Sequence, residues 1–552
     1  MTNKKNNKKE QPKPLIERLY NNPRTVLDIA AYALFALTFI YIIYYICVPG
    51  KVDYHSDSTD TIMWAQAGYD GKCILNPDFG YACLLPFGIS LIMQLFIGIT
   101  GVSYTTQIIG MTAFLILFSA GFVLMLKQAG FKFRAISLAY FCTFALLSAS
   151  KKLREIFWGH AIYYSLGLLF LFFGLYLAFM IYQNRKEQNK KLWIPVAALL
   201  ILTVLASTNG IQALTIFVFP TAAALIAAIW LDFDCENPFS KENLIIMGIG
   251  AAVVIAAGLG LKFGSGLAGD ITAGYASSYS NFEKPDTWVE HIESLLTNWL
   301  SLAGVSIEAG DPMMKGKSVI NIIRLFLNAF IVSIPIYRIF TYEKMKHAET
   351  KMMFIAHWIS SVLVLIGWIF GKLSAGNWRL SPVFCTSIVY CIFFIKELFE
   401  EKRYLRLGVV FVLPFVICAG AALYDISKSD ADFAKSDNGR KLALLEKYDC
   451  TYGYAGFWNA NATSVLAGDK IQVSGVDVKD EGLKRILYQS NKNWFEEHTE
   501  DENYFLLLDK NEYSKIQEAD PELVRRAKFI DDTTDEWYVV LLFDDNINDR
   551  IH

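Results

Sequence analysis

Apolar segments of membrane length dominate this sequence. The first, TVLDIAAYALFALTFIYIIYYICV, covers residues 25–48, and about 20 apolar residues are enough for a helix to cross the hydrocarbon core of a bilayer. It is longer than the apolar core of a signal peptide and no small-residue cleavage site follows it, so we expect it to be retained. Because 54% of the chain is hydrophobic and only 19% is charged, the sequence predicts a polytopic α-helical membrane protein.

Eleven segments of this kind are predicted to cross the membrane, and the charge of the loops between them gives their orientation. Cytoplasmic loops collect Lys and Arg, so the basic N-terminal segment, residues 1–25, is predicted to be cytoplasmic. The basic loops at 127–134, 183–191, 337–351 and 396–406 then fall on the same side. The predicted spans are 26–48, 103–126, 134–150, 160–182, 193–209, 211–231, 244–262, 319–341, 352–371, 380–397 and 406–424.

The apolar segment CLLPFGISLIMQLFIGITGV, residues 83–102, has the length of a span but does not fit this pattern. If it crossed the membrane, the basic loop 127–134 would lie outside, so we expect an amphipathic or re-entrant segment at the outer face. The predicted transmembrane domain therefore covers residues 26–424, with outer loops at 49–102 and 263–318. Within the second loop, WVEHIESLLTNWL is predicted to form an amphipathic helix on the membrane.

The hydrophilic tail, residues 425–552, is predicted to be a separate extracytoplasmic domain. It contains the strand-like runs KIQVSGVDV, YFLLLD and EWYVVLLF, and one helical segment, NEYSKIQEADPELVRRA. Short apolar runs that alternate with a helical pattern indicate a small α/β domain. The chain is thus expected to be a multi-pass membrane protein with its N-terminus in the cytoplasm and its C-terminal domain outside.

An acidic motif, DYHSDSTD at residues 53–60, follows the first predicted span almost at once. Asp57 and Asp60 are three residues apart and would share one face of a helix. Carboxylates in this place can accept a proton from a hydroxyl or hold a divalent cation, whereas the simpler interpretation is a solvated acidic loop. Asp57 and Asp60 lie closer to the helical stretch than Asp53 does and are better held there, and of the two we prefer Asp57 as a general base. His55 receives no role, since a single surface His usually has none.

A second polar segment, KKLREIFWGH at residues 151–160, is also predicted to lie outside. Lys152, Arg154, Glu155 and His160 stand here between two spans, although Lys and Arg are expected mainly on the inner side. Such cations suit an anionic ligand such as a phosphate. The alternative is a set of anchors at the membrane interface.

A third polar segment, GKLSAGNWRLSP, places Lys372 and Arg379 at the start of a late span. Cations at this depth are costly unless they are paired, so they either bind an anion or extend to the surface. No residue is assigned as a metal ligand, because Glu290, His291 and Glu293 in the outer loop lack an established ligand spacing. The sequence also lacks a P-loop, a GxGxxG after a strand and a GxSxG, and no nucleic-acid partner is expected.

These segments together resemble the GT-C superfamily of integral-membrane glycosyltransferases, which use polyprenyl-phosphate sugars and include protein O-mannosyltransferases and aminoarabinose transferases. The similar features are the acids after the first span, the Pro-containing YACLLPFGISLIMQLFIGITGVS, Glu155 between the third and fourth spans, and NWRLSP. NWRLSP lacks the Tyr of the family's RYxxP-like setting. The resemblance covers residues 26–424, and YGYAGFWNANATSVLAGDKIQV in the tail looks like the C-terminal part of uncharacterised bacterial members.

The resemblance implies transfer of a sugar from a polyprenyl-phosphate donor, which lies among membrane lipids, to an acceptor in the bacterial cell envelope. The acceptor would be an extracytoplasmic glycan, lipid or protein, and the reaction a single displacement with an Asp base. It leaves open whether a divalent metal, Mg²⁺ or Mn²⁺, is needed. The resemblance implies these residues: Asp57 or Asp60 as the base, and Lys152, Arg154, Glu155, His160, Lys372 and Arg379 as substrate-binding residues, among them Lys152, Arg154 and Arg379 on the departing phosphate.

Two other classes of function remain as alternatives. A transporter or flippase of lipid-linked or anionic substrates would carry polar residues and broken helices along a path through the membrane, and STNGIQ at 207–212 is the obvious break. A structural protein that displays its tail would leave the acids and bases without a role. The discriminating feature is whether these acids and bases meet in one outer cavity or line a path through the membrane.

Overall fold

A computed structural model of the protein describes residues 23–187, 189–230, 237, 239–271, 281–496 and 503–552. The basic segment 1–25 therefore lies almost entirely outside the described residues, as does part of the predicted outer loop 263–318. The described residues form a helical bundle, which includes the predicted transmembrane domain, and a C-terminal sheet domain. The α-helices of six or more residues are α1 (Pro23–Cys47), α2 (Asp60–Gly71), α3 (Ser90–Thr100), α4 (Tyr104–Gln128), α5 (Phe133–Leu146), α6 (Tyr163–Gln183), α7 (Lys190–Ser207), α8 (Phe219–Trp230), α9 (Lys241–Ala268), α10 (Trp288–Leu302), α11 (Gly316–Phe340), α12 (Ala348–Phe370), α13 (Ser381–Glu400), α14 (Leu405–Ser427), α15 (Asp437–Glu446), α16 (Phe457–Ala467), α17 (Lys510–Ala519) and α18 (Pro521–Arg526).

Ten helical segments within the described residues are long and apolar enough to cross a membrane, which makes this a multi-pass membrane protein. Each agrees in place with a predicted span. They are Thr25–Val52, Tyr104–Gln128, Tyr163–Gln183, Lys190–Ser207, Ile211–Trp230, Lys241–Ala268, Gly316–Phe340, Ala348–Phe370, Asn377–Glu400 and Leu405–Ser427.

The third predicted span, 134–150, differs from the prediction. Its helix, α5, has 14 residues, and the chain then turns by 112° into the segment Lys151–His160. The turn falls at the sequence SAS, where the Ser150 side chain accepts a hydrogen bond from the Leu153 N–H and so begins a new helix. The expected eleven spans are therefore reached only if this bent pair is counted as one span.

The segment 83–102 contains only the 11-residue helix α3, which rises about 16 Å and is too short to cross a bilayer. It packs against α2 and α4 at the same end of the bundle as the acidic motif. The amphipathic helix predicted from WVEHIESLLTNWL is also present, as α10.

The C-terminal domain is built on a six-stranded sheet with the order β3-β2-β1-β4-β6-β5. The central strands β2, β1 and β4 are parallel and the outer pairs are antiparallel. Three strands agree with the predicted runs, while β1, β3 and β5 were not predicted, and the predicted single helix is two, with Pro521 beginning α18. The strands are β1 (Tyr452–Gly456), β2 (Gln472–Lys479), β3 (Gly482–Arg485), β4 (Tyr504–Asp509), β5 (Phe529–Asp531) and β6 (Tyr538–Phe543).

The order of the parallel strands places a topological switch point at β1, because β2 lies on one side of it and β4 on the other. In open α/β sheets, ligands bind outside the carboxyl ends of strands at such a point. Here β1 leads directly into α16, whose first turn meets the acidic motif: the Ser56 hydroxyl donates to the Phe457 carbonyl. A second contact between the two regions lies at Gly80, whose carbonyl accepts a hydrogen bond from the Gln489 N–H at 2.7 Å. The carboxyl end of β1 therefore faces the end of the helical bundle.

Candidate functional site

A cavity of about 900 Å³ lies where the bundle meets the C-terminal domain. Its apolar walls come from several membrane-length helices, and its remaining wall includes Phe457, Trp458 and Tyr488 of the C-terminal domain. The cavity therefore joins an apolar, membrane-embedded region to a separate folded domain. Its acidic, basic and amide lining residues are Asp57, Asp60, Lys152, Glu155, His160, Asn209, Gln212, Asn281 and Arg379.

Six of the eight residues predicted from the sequence line this one cavity, and two lie elsewhere. Arg154 is buried beside the bundle, where its guanidinium donates to the Ser148 carbonyl at 2.9 Å and lies 5.5 Å from the centre of the Tyr45 ring. Lys372 Nζ lies 3.8 Å from Glu283 Oε1. The six residues in the lining are Asp57, Asp60, Lys152, Glu155, His160 and Arg379.

The side chains of the acidic motif reach different partners, because the backbone conformation changes within its eight residues. His55 is extended, Ser56–Thr59 form a 3-10 turn, and α2 begins at Asp60. Asp53 Oδ1 is 2.7 Å from Lys151 Nζ, whereas Asp57 and Asp60 turn toward the cavity. Asp53 thus links the acidic motif to the segment 151–160 by an ion pair, whereas Asp57 and Asp60 face the cavity.

Burial favours the protonated form of Asp60. Its side chain is 5% exposed, and burial, with the nearby Asp57 charge, raises the pKa of Asp60 well above its ordinary value. Its Oδ1 accepts a hydrogen bond from the Gln489 side-chain amide, and Gln489 Oε1 accepts from Trp64 Nε1 at 2.9 Å. Asp60 is therefore part of the contact between the bundle and the C-terminal domain.

Asp57 has the properties of a general base. It is half-buried, and burial raises its pKa, an effect that Glu155 strengthens and that His55 and Lys152 oppose. A carboxylate with a raised pKa is a stronger base than an ordinary Asp and transfers protons more efficiently near neutral pH. Of the three acids in the lining, Asp57, Asp60 and Glu155, Asp57 is the one suited to accept a proton.

A π-helical turn, Glu155–His160, brings an acid and an imidazole together. In a π-helix the hydrogen bonds join residues five apart, which places the first and last residues of this turn close in space. Glu155 Oε1 is 3.9 Å from His160 Nε2, and Glu155 Oε2 is 3.6 Å from His55 Nε2. The three side chains can offer ligand atoms within 4.8 Å of one another, which makes them a candidate metal site.

The protonation states of this cluster follow from its surroundings. Burial raises the pKa of Glu155, but the imidazoles of His55 and His160 and the ammonium of Lys152 outweigh it and lower the pKa to about 2. Burial lowers the pKa of His160 to about 3. At neutral pH the cluster therefore holds an ionised carboxylate beside a neutral imidazole.

Two cations of the cavity share one aromatic neighbour. Lys152 Nζ lies 4.8 Å from the centre of the Trp378 ring, and the Arg379 guanidinium lies 5.5 Å from it. Arg379 also donates to the Lys372 carbonyl, which holds the guanidinium at the start of α13. The two positive charges therefore lie in one wall of the cavity, where they can attract an anionic group.

Several cavity residues were not predicted as site residues, and their signals in the sequence were weak. Asn209, in the break at 207–212, exchanges two hydrogen bonds with the backbone of Phe87, at 3.0 and 2.7 Å. That break therefore forms part of the cavity wall. Trp378 and Tyr488 resemble ordinary interface or core aromatics in the sequence. In comparisons with known protein families and with curated proteins, the chain matches none.

Proposed function

We propose that the protein is an integral-membrane glycosyltransferase of the GT-C type, which moves a sugar from a polyprenyl-phosphate donor to an extracytoplasmic acceptor. The observation that carries the proposal is the shared cavity of Asp57, Lys152 and Arg379 at one end of an apolar bundle. A base and two cations that meet in one cavity suit a transfer reaction, whereas a transporter needs polar groups along a path through the membrane.

In the proposed reaction, the Asp57 carboxylate takes the proton of the acceptor hydroxyl while the hydroxyl oxygen forms a bond to the anomeric carbon of the sugar. The bond between that carbon and the donor phosphate oxygen breaks, and its electron pair stays on the phosphate. Lys152 and Arg379 stabilise the negative charge that grows on the leaving phosphate. The products are the glycosylated acceptor and polyprenyl phosphate, and one displacement inverts the anomeric configuration.

The cavity also offers surfaces for the other two parts of the substrates. Apolar residues of the helices, such as Ile211, Leu261 and Leu363, line it on the membrane side and suit the polyprenyl chain. On the other side, the Trp458 side chain is 60% exposed and Tyr488 is beside it in the lining. Aromatic faces pack well on the apolar faces of sugar rings, so we assign this side to the acceptor.

The test is release of polyprenyl phosphate by the purified protein from a panel of polyprenyl-phosphate sugars, with cell-envelope glycans as acceptors. We expect Asp57→Asn to lower the rate by about 10² to 10⁴, the range for loss of a general base. Asp60→Asn should retain most of the activity, because burial favours the protonated form of Asp60 and an amide resembles that form.

The matched control is Asp70→Asn, which changes an exposed acid on the same helix, α2, outside the cavity lining. It should leave the rate unchanged. Full activity of the Asp57→Asn protein, or no release from any donor by well-folded wild type, would contradict the proposal.

A further inference from the structure

We propose that His55, Glu155 and His160 bind a transition-metal ion of the Zn²⁺ type in the cavity wall. The argument rests on the arrangement of these three side chains and does not depend on the proposed sugar transfer. Two ligand atoms that are each about 2.1 Å from a tetrahedral ion lie about 3.4 Å apart. The carboxylate oxygens of Glu155 lie 3.6 Å and 3.9 Å from the two imidazole nitrogens, close to the spacing of a ligand pair.

The ring nitrogens of His160, unpartnered within the described part of the chain, also support a metal site. Its side chain is 5% exposed, yet neither ring nitrogen has a hydrogen-bond partner among the described residues. The buried Nδ1 of His55 lacks one as well. Buried polar atoms in folded proteins nearly always have a partner, so two imidazoles that face one carboxylate in this state indicate a ligand between them.

The chemistry of the three side chains selects the class of ion. Two imidazole nitrogens and one carboxylate are typical ligands of Zn²⁺ and related transition metals, whereas Mg²⁺ and Ca²⁺ prefer oxygen ligands alone. A His₂Glu set therefore differs from the Mg²⁺ or Mn²⁺ that the sequence left open.

The site would be open to the cavity. Glu155 and His160 line the cavity of about 900 Å³, together with Asp57. Three protein ligands leave a further coordination position for a water or substrate oxygen, as in catalytic zinc sites. A metal ion held here would thus be accessible to a substrate.

Lys152 is a cation that pairs with the Glu155 carboxylate. Its Nζ lies 2.7 Å from the Glu155 carboxylate, and a bound ion would displace it from that carboxylate. The Trp378 ring lies 4.8 Å from the same ammonium and attracts it by a cation–π contact that does not depend on the carboxylate. It follows that Lys152 competes with the metal, so its removal should tighten metal binding.

The experiment is a titration of the detergent-purified full chain, first stripped with a chelator, with Co²⁺ followed by its visible absorption and then displaced with Zn²⁺. We expect one ion per chain and at least tenfold weaker binding in His160→Gln and in Glu155→Gln. Lys152→Met should bind at least as tightly as wild type. The control, His357→Gln, changes an equally buried His that lies outside the cluster and should bind like wild type.

Three results would overturn the proposal. The first is no Co²⁺ or Zn²⁺ binding by wild type at micromolar concentrations. The second is binding that is unaffected by His160→Gln and by the milder variant His55→Gln, which changes a partly exposed residue and should leave the fold intact. The third is weaker binding in Lys152→Met. Because the readout is metal binding, failure here would leave the proposed sugar transfer standing, and failure of sugar transfer would leave the metal site standing.

Discussion

Charged side chains gather at both ends of the helical bundle, and the two groups are built differently. Helix α13 connects them, since Arg379 precedes its first turn and Glu397 lies in its last. At the far end, Arg338 Nη2 is 2.7 Å from Glu397 Oε2, and the Lys346 N–H donates to Glu397 Oε1 at 3.3 Å. Both carboxylate oxygens of Glu397 therefore have protein partners in a buried setting. At the near end, the charges surround a cavity.

The two buried histidines show the same contrast. His357, inside the bundle, shares a hydrogen bond of 2.9 Å between its Nδ1 and Thr386 Oγ1. His160, beside the cavity, has a partner for neither nitrogen among the described residues. Of these two imidazoles, the one inside the bundle is hydrogen-bonded within the fold, and the one beside the cavity is placed to meet a ligand. The difference indicates that the far end stabilises the bundle and the near end binds something.

The largest expected effect tests the far end. Arg338→Met leaves Glu397 buried without its cation, and breaking a buried pair in this way costs about 3–5 kcal/mol of stability. Thermal unfolding in detergent should show this loss, while sugar transfer per folded molecule should be retained. The control is Arg134→Met, which removes a half-exposed pair with Asp28 and should cost less than about 1 kcal/mol. Equal losses in the two variants would contradict a structural role for the buried pair.

The next effect tests the near end. Lys152→Met removes a partly exposed cation, so we expect the melting temperature to change little. The rate of sugar transfer should fall by about a hundredfold, because the leaving phosphate loses one of its two cations. Initial rates and thermal unfolding of the same preparation measure both quantities. If the melting temperature falls and the activity per folded chain does not, the near end is structural as well, and the two ends of the bundle do not differ in role.

The smallest effect tests Asp60, which lies at the near end but is built like a structural group. Its pKa is raised in the folded protein, so folding retains a proton there that the unfolded chain loses above about pH 4. The folded state binds more protons, and this residue's contribution to stability therefore falls as the pH rises through that range. The Asp60→Asn variant has no titrating group at this position, so it lacks this pH-dependent contribution to stability.

Melting temperatures of wild type and Asp60→Asn at pH 4 and pH 8 provide the measurement. The melting temperature of the variant relative to that of wild type should rise by a few degrees between pH 4 and pH 8. A variant that instead loses stability relative to wild type at pH 8 would show that Asp60 is ionised in the folded protein. Asp60 would then belong with the ligand-binding charges.

The sequence was informative where a feature is local. Hydropathy over about 20 residues located the ten membrane-length segments, because a bilayer demands that length of apolar chain. Loop charge and the order of the helices indicated which polar segments share one end, and six of the predicted residues do line one cavity. The strand runs YFLLLD and EWYVVLLF were recognisable because they are continuous and apolar.

Features that depend on distant or unusual geometry were missed. Glu155 and His160 are five residues apart, a spacing that an α-helix would place on different faces and that only the π-helical turn brings together. The bond between Asp60 and Gln489 joins positions 429 residues apart. Strand β1, YGYAG, contains two glycines, which are unfavourable in strands, so its pattern did not resemble the central strand that it is. Its burial comes from neighbours on both sides, which local sequence does not record.

The short helix α5 has a consequence for the depth at which the proposed reaction would take place. Its 14 residues rise about 21 Å, whereas the hydrocarbon core of a bilayer is about 30 Å thick. If α5 begins at the cytoplasmic boundary of the bilayer, as the loop charges predict, the segment that follows, with Glu155 and His160, begins below the outer boundary of the hydrocarbon. A headgroup normally held at the water interface would have to sink toward these residues, and a water-borne molecule would have to descend to meet it. The bend would thus place the site in a recess below the membrane surface instead of at that surface.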